Sequence, residues 1–170
     1  MPDVYQGTEL WDLSLVDPDN RRPVDFDTRS RLLDELAGDG EASDGKAKMY
    51  VLSRALRHRR DHADLFARGD YLPVDASGAR AAHLFAFARV LDAQAVLAVV
   101  PRLVVPLMTE TMRPPVGAEV WGDTRLVLPE PCRGSGWRNL LTGEVLEGGD
   151  HLAVARVLDR FPVALLAAER

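Results

Sequence analysis

The spacing of the apolar residues changes near Gly69, and that change limits the chain to few architectures. Before it, Leu32, Leu33 and Leu36 recur at helical spacing, as do Met49, Leu52 and Leu56 with Ala47, Val51 and Ala55 beside them. After it the apolar runs are short, over 71–74, 84–90, 95–100, 125–128, 137–141 and 163–167. They are separated by turn residues such as Ser77-Gly78, Leu91-Asp92, Pro114-Pro115 and Thr142-Gly143. Helices gathered first and strands after predict an α+β fold with a pair of antiparallel sheets, not an alternating βαβ array. The boundary falls between residues 1–69 and 70–170.

Within the first part, no helical period runs from Met1 to Phe26, and prolines at 2, 18 and 23 predict a loop with at most a short helical turn. Asp27 or Thr28 is the expected N-cap of the first helix, with Gly38 and Gly40 ending it. A surface loop over 39–45 leads to a second helix over 46–60. Its last turn, Arg57-His58-Arg59-Arg60, puts positive charge where the helix dipole is negative. In the second part, 102–122, with Met108 and Met112, reads as a long connection without period, and 152–158 as a short helix or a strand, with helix favoured because Ala153, Val154, Val157 and Leu158 fall on one face. Trp121 and Trp137 are expected in the core.

Composition excludes several classes of function. A chain of 170 residues is too short for a closed (β/α)8 barrel, which needs roughly 250. A net charge of −5 with the signs interspersed gives no field for a phosphate backbone, so no nucleic acid partner is expected. The longest apolar run, Ala93 to Pro106, is interrupted by Gln94, Pro101 and Arg102 and falls short of the ~20 residues of a membrane span. With no leader pattern and one cysteine, Cys132, the expected home is the cytoplasm. His58, His62, His83 and His151 lack ligand spacing, so no metal or other cofactor is expected.

The chemistry is concentrated in the opening stretch, PDVYQGTELWDLSLVDPDNRRPVDF. Saccharide sites need aromatic faces for pyranose rings and Asp, Asn, Gln, Glu or Arg for hydroxyls. A hydroxyl stripped of water without a partner costs a few kcal/mol. Tyr5, Gln6, Glu9, Trp11, Asp19, Asn20, Arg21 and Arg22 supply that set. Local readings stay open beside it. Asp17-Pro18-Asp19-Asn20 is also a good turn sequence, Arg21 or Arg22 can pair with Asp25 or Asp27, and Trp11 is either packing or a stacking surface.

The order of these residues resembles the segment after the eighth barrel strand in the α-amylase superfamily, and Asp3-Val4-Tyr5-Gln6-Gly7-Thr8-Glu9-Leu10-Trp11 resembles the maltooligosyltrehalose synthase family. Gly69-Asp70-Tyr71-Leu72-Pro73, Trp121-Gly122-Asp123-Thr124-Arg125-Leu126, Asn139-Leu140-Leu141-Thr142-Gly143 and Phe161-Pro162-Val163-Ala164-Leu165-Leu166 are similar to the same family, in order along the whole chain. The resemblance implies an intramolecular transglucosylase that turns the reducing-end α-1,4 bond of a maltooligosaccharide into an α,α-1,1 bond. It also implies that this chain is a C-terminal portion: the end of a (β/α)8 barrel, loop and last helices, over 1–69, then a C-terminal antiparallel β-sandwich-like domain over 70–170.

On this resemblance Tyr5, Gln6, Glu9, Asp19, Asn20, Arg21 and Arg22 contact substrate. The catalytic carboxylates lie on earlier strands, so no catalytic residue is expected here. Met1 stands where the family carries a small aliphatic residue, which implies a longer natural chain. The implied partners are a maltooligosaccharide, bound through a complete barrel, and either a separately encoded barrel segment or a second copy. The rival expectation is a freestanding, non-catalytic module that binds α-glucan or docks on a protein.

Overall fold

The computed structural model describes residues 5–14, 16–37, 45–108 and 113–169. The chain divides into two compact units, Met1–Arg60 and Asp61–Arg170. The spacing change at Gly69 lies further along, because a short helix precedes the first strand of the second unit.

The first unit begins with a loop containing one 3-10 turn, Asp19–Arg21. Two helices follow, α1 (Phe26–Ala37) and α2 (Ala47–Asp61), the latter running just past the division. The cap of α1 is Asp25, not Asp27 or Thr28: its carboxylate accepts the Thr28 N–H at 2.9 Å and the Thr28 hydroxyl at 2.8 Å. A carboxylate preceding the first helical residue reaches the otherwise unpaired N–H of the third, a geometry that Asp27 and Thr28, inside the helix, lack. Leu32, Leu36, Met49 and Tyr50 are buried, whereas Leu33 and Leu56 of the same apolar stripes are exposed. Gly38, Gly40 and the expected loop up to residue 44 lie outside the described residues.

The second unit starts with α3 (Ala63–Arg68), which stops at Gly69. A Cβ there would lie 2.4 Å from the Leu65 carbonyl oxygen, so only glycine lets the helix turn into β1 (Asp70–Pro73). Strands β2 (Asp75–Ser77), β3 (Leu84–Leu91) and β4 (Gln94–Pro101) follow, with α4 (Gly117–Trp121) between β4 and β5 (Arg125–Val127). The rest comprises β6 (Gly136–Asn139), β7 (Val145–Leu146), β8 (His151–Ala153), α5 (Val154–Val157) and β9 (Ala164–Glu169).

All pairings are antiparallel. One sheet has the order β1-β3-β4-β9-β6-β7 and the other β2-β5-β8. The register sets Leu97 opposite Leu166 and Trp137 opposite Leu146, all buried in one core. Leu126 of β5 and Leu152 of β8 join that core from the smaller sheet. Trp121 and Trp137 are fully buried in it, as the sequence predicts. No described helix is long and apolar enough to cross a membrane.

Three differences from the sequence reading have one cause, the shortness of the elements. The connection over 102–122 contains a 3-10 turn, Val105–Leu107, and α4, while Met112 lies outside the described residues. The segment 152–158, read as helix or strand, holds both: the end of β8 up to Ala153 and then α5, Val154–Val157. Strands β2, β7 and β8 are too short for alternation to show.

The recurring motifs of the second unit are joints. Asp123 and Thr124 accept backbone N–H groups of Ala79 at 3.2 Å and Arg80 at 3.1 Å, tying the turn after β2 to the start of β5. Buried Asn139 accepts the Leu141 N–H at 3.0 Å and fixes the bend through Thr142-Gly143. These are packing and turn roles, which explains their residue types without chemistry at a ligand.

Candidate functional site

The turn at Gly7 and Glu9 is tied to the start of α1 by one residue that the sequence reading passed over. Arg29, in the first turn of α1, donates to the Gly7 carbonyl at 2.6 Å and the Asp25 carbonyl at 3.0 Å, and pairs with the Glu9 carboxylate at 3.2 Å. A cation near a helix N-terminus works against the dipole, and that misfit is the signal that could have marked Arg29 as held by specific partners. Gly7 is buried with φ +86°, and a Cβ there would lie 2.9 Å from a Val24 methyl. The turn is closed by Thr8, whose N–H and hydroxyl both donate to the Tyr5 carbonyl, at 3.2 and 2.6 Å.

The sequence-predicted residues separate into two groups. Tyr5 and Gln6 are exposed at the turn, and Glu9 is anchored by Arg29. Further along, Arg21 pairs with Asp17, and Arg22 with Asp19 at 3.2 Å; neither turns to Asp25, which is committed to capping α1, nor to Asp27. Asn20 is exposed between them. Asp17-Pro18-Asp19-Asn20 is thus a turn braced by its own ion pairs, with the peptide before Pro18 cis. Trp11 is not packed: it is 67% exposed, with the Lys48 ammonium 5.5 Å from its ring centre.

Glu9 and Arg29 also line a groove of about 350 Å3 whose apolar wall is formed by Phe26, Leu33, Met49 and Leu52. Polar groups thus meet an apolar surface within the first unit.

The electrostatics bear on what this loop can do. Hydrogen bonds from the Ser14 N–H and hydroxyl hold Asp12 below the ordinary carboxylate range, Thr28 does the same for Asp25, and Lys46 with Arg31 for Glu35. A carboxyl acting as general acid in glycosyl transfer needs the opposite shift, and a second carboxyl about 5–5.5 Å away if configuration is retained. Glu9, Asp17, Asp19 and Asp25 already serve structural partners. These carboxylates are held ionised or paired, and none of those shifted is raised toward the range of a general acid. Among the described residues no three His, Cys, Asp or Glu side chains cluster as metal ligands.

Comparison with known proteins points to carbohydrate-active enzymes. A protein from Mycobacterium tuberculosis, provisionally named a maltooligosyl trehalose synthase, is 40% identical over 169 residues, 99% of this chain and 19% of its own length; the same holds for a second strain of that organism. The solved maltooligosyltrehalose synthase of Arthrobacter ramosus is 43% identical, with TM-score 0.79 over 99% of this chain and 20% of that one. No family model matches. The relatives are thus maltooligosyltrehalose synthases, and this chain matches a C-terminal portion of them, spanning about a fifth of their length.

Proposed function

We propose that this chain supplies the C-terminal portion of a maltooligosyltrehalose synthase-like protein and catalyses no glucosyl transfer by itself. The observation that carries this reading is the agreement of sequence and fold over 99% of the chain with a fifth of such an enzyme. The loop 5–25 and helices α1 and α2 correspond to the end of a (β/α)8 barrel, with Tyr5, Gln6, Glu9, Asp19, Asn20, Arg21 and Arg22 facing a maltooligosaccharide. The strands and the helices between them form the β-domain behind that barrel. The nucleophilic and acid/base carboxylates belong to the part of the relatives that this chain does not match. The groove over α1 and α2 is covered by that part, and the chain alone self-associates through it. A cytoplasmic home suits the single buried thiol.

Complementation tests this. Mixed with the portion of the Arthrobacter ramosus enzyme that this chain does not match, it restores conversion of maltohexaose to a non-reducing product. Failure to restore it, with both parts folded, argues for the second reading, a freestanding module that binds α-glucan or docks on a protein. That reading is favoured by the core of the second unit, whose buried cluster is drawn from that unit's own residues, Val74 to Leu166.

A further inference from the structure

We draw no further inference here: the strongest candidate, the surface groove of about 390 Å3 between β7, β8 and α5 with Glu147, His151 and Arg156 on its rim, is bordered by exposed side chains, and nothing in the structure shows what covers it.

Discussion

The two units of this chain solve the problem of a core in opposite ways. In the second, each sheet contributes one face to a shared interior, and Trp121, Leu126, Trp137 and Leu166 are fully buried. In the first, the helices bury Leu32, Leu36, Met49 and Tyr50 but leave Phe26, Leu33 and Leu56 at the surface, and the loop is held by ion pairs and hydrogen bonds centred on Arg29. Burial is worth roughly 25 cal/mol per Å2 of apolar surface, whereas exposed ion pairs contribute ~0–1 kcal/mol each. The larger share of the stability therefore comes from the second unit.

The largest expected effect is at the core. Trp137→Ala removes a fully buried indole and costs about 3–5 kcal/mol, read as an early urea transition of the near-UV signal. Leu56→Ala in the first unit, at a side chain 51% exposed, changes the midpoint little, within about 0.5 kcal/mol. Equal costs at the two positions would erase the contrast between the units.

Backbone crowding gives the next effect. A Cβ at Gly148 would sit 2.0 Å from the Ser135 carbonyl oxygen, while at neighbouring Gly149 the nearest atom is 3.8 Å away. Gly148→Ala is expected to cost more than about 2 kcal/mol, and Gly149→Ala less than about 1. Thermal melts of the pair decide it, and similar losses would mean the turn is not built as described.

Smaller in global stability, but decisive for the loop, is Arg29. Arg29→Ala releases Glu9 and Gly7 together, so limited proteolysis should cut the loop 5–25 faster while the second unit keeps its melting temperature. Arg29→Lys should not restore protection, because a single ammonium cannot span three acceptors as the guanidinium fork does. Rescue by lysine would reduce the clamp to simple charge.

The smallest effect is the pH response, which runs in opposite directions. Asp12, Asp25 and Glu35 have folded-state pKa values below their ordinary 3.8, 3.8 and 4.5. Their support is complete above those ordinary values and is lost as pH falls through the lower folded ones. Burial raises Cys132 above its ordinary 9.0, so its contribution is present below that value and lost as pH rises through the higher folded one. Helical circular dichroism should fade first in acid, and the near-UV signal of the buried tryptophans first in alkali. The reverse order would contradict the assignment.

What the sequence revealed follows the same division. The long strands β3 and β4 and the stripe of α2 were legible because each repeats a period often enough to be counted. Strands β7 and β8 were not, since two or three residues hold no period; their existence depends on long-range partners such as Trp137 for Leu146. In the loop, the residue types suited to sugar could be read from their chemistry, and the opening motif placed them in a family. Arg29 stayed hidden because its partners, Gly7 and Glu9, lie some twenty positions away and act through a backbone carbonyl that no residue type announces. The N-cap was placed too late because two more oxygen-bearing candidates, Asp27 and Thr28, lie within three residues of Asp25, and only the path of the chain selects among them.

The most direct test of the account is to incubate the purified 170-residue chain with maltohexaose and resolve the products by anion-exchange chromatography. The account predicts unchanged maltohexaose and no trehalose-ended product at any enzyme concentration. A non-reducing product that accumulates in proportion to the chain would show that it carries its own catalytic carboxylates, contrary to what the loop's ion pairs and helix cap imply.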